Sequence, residues 1–225
     1  MTRIVDPVLE DLREKVLRMG SLAEEILDKA LKALFERDAR LGREVRIDDL
    51  EIDRMDLEID ETVLRTLATQ APVADDLRQV IAIKMMASDL ERVGDLSRNI
   101  AKSALRLAER SRIGVPPRLR DLAEEARRQL RLALDSFSDR DAAKASEVLN
   151  REDSVDADQD QVIRKALEEI AAHPELSSQE VDYILVAKNL ERVGDHATNI
   201  AEDVILAATA RNVKHAGKLS RPRTA

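Results

Sequence analysis

The sequence predicts an all-α fold: six helices that form two tandem three-helix bundles related by pseudo-twofold symmetry. Ala, Leu, Glu, Arg and Asp dominate, 36% of the residues are charged and 1% are aromatic, which is typical of long helices and bundles. Apolar residues recur in alternating steps of three and four. LERVGDLSRNIA, from Leu90, returns a hundred residues later as LERVGDHATNIA, from Leu190. The second half of the chain should therefore copy the first.

Three helices are predicted in the first half. Asp6 before Pro7 is typical of an N-cap followed by proline at the first helical position. In the second helix, Val45, Ile52 and Ile59 recur at seven-residue spacing, which predicts a buried stripe. The three predicted helices run from Asp6 to about Arg37, from about Asp38 to the break at Pro72, and from about Ala74 to Arg112.

The second half repeats this three-helix plan with shorter helices. Its fourth helix begins near Leu119, and a continuous fifth helix carries Val148, Val155 and Val162. The sixth helix follows a turn in which Ser177 and Glu180 have the spacing of a capping box. The predicted division of the chain is a first repeat at residues 1–113, a second repeat at 114–211, and a flexible basic tail at 212–225.

Composition also narrows the classes of function. The chain has no cysteine, which excludes disulfides and thiolate-bound metals. No apolar run approaches the length that spans a bilayer, so we expect a soluble protein, in contact with a membrane only through partners. A net charge of -8 argues against nucleic-acid binding and suits cations or basic partners. No nucleophile–base pair, glycine-rich phosphate loop or H-E-x-x-H pattern is present, so no enzymatic activity is expected.

The repeated stretch places polar residues in a row on each helix. Glu91, Asp95 and Asn99 are spaced i, i+4 and i+8, so they share one face, which we expect to point away from the apolar stripe. The matching row in the second half consists of Glu191, Asp195 and Asn199. Such a row is either a solvated acidic face or part of a cation site. His196, next to Asp195, is absent from the first copy and is interpreted as a surface histidine.

A further acidic row on the second helix is predicted to lie at the seam with the third. Clustered carboxylates are stable when protonated, paired with arginine or bridged by a cation. Arg92 and Arg192 are candidate partners, and all-oxygen ligands suit Mg, Mn, Ca or Fe. The row consists of Asp49, Asp53, Asp56 and Asp60, and the second-half counterparts of its first two members are Glu152 and Asp156.

At these residues the chain resembles the PhoU family, regulators of bacterial phosphate uptake and signalling. The resemblance rests on QAPVADDLR at 70–78, DLERVGDLSRNIAK at 89–102 and NLERVGDHATNIAEDVI at 189–205. It implies a cytoplasmic, helical homodimer without enzymatic activity. It also implies an adaptor between the phosphate-specific ABC transporter and a sensor histidine kinase, which suppresses the phosphate-starvation response.

The resemblance further implies a metal site, because some members of the family carry multinuclear clusters, iron among them. The expected cofactor is a divalent or multinuclear metal (Fe, Mn, Mg or Zn), with an empty site as the alternative. The alternative function is a ferritin-like di-iron enzyme, which would need inward-facing Glu-x-x-His ligands that this sequence lacks. The residues that the resemblance matches to metal ligands are Glu91, Asp95, Asn99, Glu191, Asp195 and Asn199, with Asp49, Asp53, Glu152 and Asp156 as contributors from the preceding helices.

Overall fold

The fold is all-α, as predicted. The structure, a computed structural model, describes residues 6–111 and 113–214, apart from the side chains of residues 152–154. Within these ranges the chain forms seven α-helices and one short 3-10 helix, Pro174–Leu176, with no β-strand. The α-helices are α1 (Asp6–Glu36), α2 (Ala39–Gln70), α3 (Ala74–Ala108), α4 (Pro117–Asp139), α5 (Ala142–Leu149), α6 (Glu152–Ala172) and α7 (Ser177–Thr209).

The first three helices follow the predicted plan. The Asp38 side chain caps α2, since it accepts hydrogen bonds from the backbone N–H groups of Arg40 and Leu41 at 2.8 and 3.2 Å. Helix α3 ends at Ala108, earlier than predicted, and Arg112 lies outside the described residues. At this end, the Arg37 guanidinium donates to the carbonyl of Leu107 at 2.8 Å and satisfies a terminal acceptor of the helix.

The predicted continuous fifth helix is wrong: it is two helices, α5 and α6, separated at Asn150 and Arg151. The Arg151 carbonyl accepts a hydrogen bond from the buried Gln129 amide of α4 at 3.1 Å. This bond satisfies a backbone acceptor at the point where the helix is interrupted. Val148, before the break, and Val155 and Val162, after it, are all buried. The apolar spacing therefore persists through the break and does not reveal it.

The predicted capping box is also wrong. Leu176, at the end of the 3-10 helix, is the N-cap of α7, with no hydrogen bond from its side chain. Ser177 is already the first residue of α7, and Glu180 is buried. Burial raises the pKa of Glu180, with the neighbouring Glu169 as the next cause.

Helices α3 and α7 pack against each other, and the others surround them. Helices α1 and α2 pack on α3, whereas α4, α5 and α6 pack on α7, and α1 also contacts α4. The buried apolar residues of both halves form one contiguous core. No helix among the described residues is long and apolar enough to cross a membrane. Most of the predicted basic tail, residues 215–225, lies outside the described residues.

Candidate functional site

The acidic row of α2 lies at the seam with α3, as the sequence indicates. Asp49 is buried, only 1% exposed, and Glu91 and Asp95 are half-buried across the seam. Gly94 faces Asp49: a Cβ atom at this position would lie 2.9 Å from the Asp49 Oδ1 atom and 3.1 Å from the Ile52 Cδ1 atom. The glycine therefore permits the close approach of α2 to α3, at the expense of about 1 kcal/mol of helix propensity.

Two arginines neutralise this first row. The Arg98 Nη1 atom lies 2.6 Å from the Oδ2 atom of Asp49, and its Nη2 atom lies 2.5 Å from the Oδ1 atom of Asp95. Arg92, which the sequence indicated as a partner, contacts Glu91 and Asp95 at 3.4 Å each. Arg98 was missed as a partner, although its i, i+3 spacing from Asp95 is a signal that sequence analysis could have used.

Lys84 of α3 continues the neutralisation along the seam. Its Nζ atom lies 2.5 Å from the Oδ1 atom of Asp60 and 3.5 Å from that of Asp56. The seam between α2 and α3 thus pairs carboxylates of one helix with cations of the other. These pairs join α2 to α3 along several turns.

Partial burial at the seam raises the pKa values of two carboxylates of the first row. Burial raises the pKa of Glu91, the Arg92 guanidinium opposes this rise, and Asp95 and Asp53 add to it. Burial likewise raises the pKa of Asp49, while Arg98 lowers it. Arg98 and Arg92 therefore offset part of the free-energy cost of burying the charged carboxylates of Asp49 and Glu91.

The second row differs from the first at one decisive position. Thr198 occupies the place that matches Arg98, so the guanidinium that contacts both Asp49 and Asp95 in the first row has no counterpart at this position. Glu191 is half-buried and Asp195 is exposed. Burial raises the pKa of Glu191, followed by the effects of the Asp195 and Asp156 carboxylates, whereas Arg192 opposes the rise. The side chain of Glu152 lies outside the described part of the chain.

The two asparagines do not act alike. The Asn99 Oδ1 atom accepts a hydrogen bond from Lys102 at 3.3 Å. Asn199 donates from Nδ2 to the Oδ1 atom of Asp89 at 3.0 Å, and therefore turns towards α3. His196 also contacts Asp89, with 2.7 Å between its Nδ1 atom and the same oxygen. The interpretation of His196 as a surface residue is thus wrong, since it is part of a polar contact between the two halves.

A second polar contact between the halves was not predicted. Asp182 of α7 is buried and accepts hydrogen bonds from Arg106 Nε at 2.8 Å and from Arg110 Nη1 at 3.1 Å. The three residues come from segments that sequence spacing cannot place together. They join the C-terminal end of α3 to the N-terminal part of α7.

The described side chains contain no group of three or more Asp, Glu or His residues arranged to hold a metal ion. In the first row the Arg98 guanidinium occupies the space between Asp49 and Asp95. The first row, as arranged, therefore does not fit a metal. In the second row the matching place holds Thr198, and the acidic residues of that row are of a type that binds hard cations.

Fold and site together define an internally duplicated, all-helical protein with acidic rows along its helix seams. The PhoU domain family model matches residues 16–104 and 119–204. The chain belongs to the PhoU family.

Relatives and solved structures agree with this assignment. The chain is 36% identical over 213 residues to the phosphate-specific transport system accessory protein PhoU homolog of Pseudomonas putida, covering 93% of this chain and 82% of the relative. Identity to the homolog of Clostridium acetobutylicum is 33% over 215 residues, with coverage of 95% and 98%. Both relatives are named as accessory proteins of the phosphate-specific transport system.

Two crystal structures share the fold. PhoU from Pseudomonas aeruginosa superposes with a TM-score of 0.87 at 34% identity, over 92% of this chain and 100% of that one. The phosphate transport system regulatory protein PhoU from Streptococcus pneumoniae gives a TM-score of 0.85 at 27% identity, over 92% and 98%.

Proposed function

We propose that this protein is a cytoplasmic regulatory adaptor of phosphate uptake and signalling. It represses the phosphate-starvation response by acting between the phosphate-specific ABC transporter and a sensor histidine kinase. The observation that carries the proposal is the family match across both halves of the chain, because the relatives are named as accessory proteins of phosphate transport. Family membership also favours this role over the ferritin-like di-iron enzyme.

The arrangement of polar residues supports an adaptor that acts through its surfaces. The Asp89 and Asp182 contacts fasten α3 to α7 across the two halves. A firmly joined pair of halves can present surfaces to two partners in a fixed relative orientation. The proposal includes a homodimer as the assembled form.

A divalent or multinuclear metal is part of the proposal, and we place it at the second row. The residues that would hold it are Glu191 and Asp195, with Asp156 and Glu152 from α6. The absence of an arginine at Thr198 supports this choice over the first row. When bound, the ion would supply the positive charge that Arg98 supplies in the first half.

Affinity purification of the tagged protein from phosphate-replete cells tests the adaptor role. We expect the ATP-binding subunit of the phosphate transporter and the histidine kinase to co-purify, both at lower yield from phosphate-starved cells. An untagged strain is the control. Recovery of neither partner under replete conditions, from cells in which the tagged protein still represses, would contradict the proposal.

A further inference from the structure

Helix α2 exposes a row of apolar side chains on the face opposite its core. Ile47 is 69% exposed, Leu50 50%, Leu57 63% and Leu64 66%. Steps of three and four connect them through Arg54 and Glu61, which gives the a and d positions of a coiled-coil heptad. We call these six residues the α2 stripe: Ile47, Leu50, Arg54, Leu57, Glu61 and Leu64.

The fold does not require most of the α2 stripe, because the second half has an apolar residue at only one of the four positions that match its exposed apolar residues. The matching positions, offset by 103 as for Asp49 and Glu152, are Asn150, Asp153, Asp160 and Leu167. The core positions Ile52 and Ile59, in contrast, are matched by buried valines. The duplication therefore separates residues that build the bundle from residues that do not. Three exposed leucines and an isoleucine in one row indicate a binding surface.

Charge determines which occupant this surface fits. Residues 47–64 contain eight acidic side chains and one basic side chain, Arg54. The positions flanking the α2 stripe are acidic on both sides, with Glu51 and Glu58 on one and Asp53 and Asp60 on the other. Asp60 already pairs with Lys84 of α3 and Glu51 with Arg54, so these two carboxylates are partly neutralised within the chain. A second copy of α2, in either direction, would set these carboxylates against their like. A helix with leucines on one face and Lys or Arg beside them meets both the apolar and the electrostatic requirements.

We propose that the α2 stripe is a docking site for a basic amphipathic helix of a partner protein. The inference rests on the adaptor role proposed above and gives it one contact surface. The docked helix lies along α2, with its leucines against Leu50, Leu57 and Leu64. Its cations face the flanking carboxylates of α2, and the face bearing Ile52 stays in the core.

The test is a titration of the purified full chain with a labelled three-heptad peptide that has leucine at a and d and lysine at e and g. A peptide with glutamate at e and g is the charge control. The double variant Leu50→Gln/Leu57→Gln removes the apolar contact without changing charge or helix propensity much. Leu167→Gln, an exposed leucine on α6, is the matched control. Circular dichroism and thermal melts verify that each variant is folded.

We expect the basic peptide to bind the wild type and Leu167→Gln equally. Binding to Leu50→Gln/Leu57→Gln should be weaker by about a hundredfold, and binding to the wild type should weaken as salt is raised. Failure of the basic peptide to bind, equal binding of the acidic peptide, or equal binding to the double variant would overturn the proposal. So would a dimer in sedimentation that the double variant dissolves. Because the titration uses purified protein, its failure is distinct from a failure of the adaptor role in cells.

Discussion

Arg98 on α3 reaches across the seam to the buried carboxylate of Asp49 on α2, with 2.6 Å between Nη1 and Oδ2. The second half has Thr198 at the place of Arg98. Two copies of one sequence motif have therefore diverged in how they neutralise their acidic rows. Substitutions at matching positions of the two acidic rows should therefore have different effects.

Removal of Arg98 should destabilise the fold strongly. Arg98→Met leaves Asp49 buried and without its cation, so we expect a loss of about 3 kcal/mol in the free energy of unfolding, measured by urea denaturation near pH 7. Arg92→Met is the control, because Arg92 is exposed and its loss should change the free energy by less than about 1 kcal/mol. Equal effects of the two substitutions would contradict the role assigned to Arg98.

The defect of Arg98→Met should also depend on pH. Burial raises the pKa of Asp49, and loss of Arg98 should raise it further. A carboxyl group whose folded pKa exceeds its unfolded value destabilises the fold at high pH and is relieved as it becomes protonated. The difference from the wild type should therefore shrink as the pH falls, and a difference that grows with acidity would contradict this explanation.

Gly94→Ala should be destabilising although alanine favours helices. The new Cβ atom would lie 2.9 Å from the Asp49 Oδ1 atom, whose carboxylate Arg98 holds in place. We expect thermal melts to show a loss of about 1–3 kcal/mol. Gly114→Ala is the control, since a Cβ atom there has no neighbour within 4 Å, and it should leave the melting midpoint unchanged. A stabilised Gly94→Ala protein would show that the close approach is not needed.

Asp203 provides a prediction at near-neutral pH. This buried residue of α7 lies 3.0 Å from the Lys214 Nζ atom. Burial raises the pKa of Asp203 to about 6, with Lys214 opposing the rise. Since the folded pKa lies above the unfolded value, the charge destabilises the fold above pH 6, and this effect disappears towards pH 4. Asp203→Asn should be more stable than the wild type by about 2 kcal/mol at pH 8, with no difference near pH 4. A variant that is less stable at pH 8 would contradict this prediction.

Much of the fold could be predicted from sequence because it depends on local signals. The start of the second helix near Asp38, the break at Pro72 and the repeat at Leu90 and Leu190 are all visible in the chain. At the break, the Arg151 carbonyl bonds to Gln129, 22 residues away in sequence, and the valine spacing continues across it. Local patterns could not indicate it.

The candidate site was predictable only in part, for a similar reason. The spacing of Glu91 and Asp95 indicates a row, and the acidic residues of α2 indicate a seam. Whether Arg98 reaches Asp49 depends on the register of α2 against α3, which sequence spacing does not determine. The contacts of Asp89 with His196 likewise depend on how α3 packs against α7.

Metal binding should distinguish the two rows. If a divalent ion binds at the second row, a hundredfold excess over its dissociation constant should stabilise the wild type by about 2.7 kcal/mol. Asp195→Asn should remove most of this gain, whereas Asp95→Asn should retain it, because Arg98 already occupies the first row. Thermal melts with chelator and with Mn, Fe, Mg or Zn measure both variants. Melting curves that no cation shifts would show that the rows are acidic faces without metal.

Repression of the phosphate-starvation response tests the central claim most directly. The measurement compares a starvation-gene reporter in wild-type cells, in cells that lack this protein, and in deleted cells that carry the gene again, all grown in high phosphate. The account predicts a reporter that stays on in the deleted cells and is switched off when the gene is restored. Normal repression in the deleted cells would contradict it.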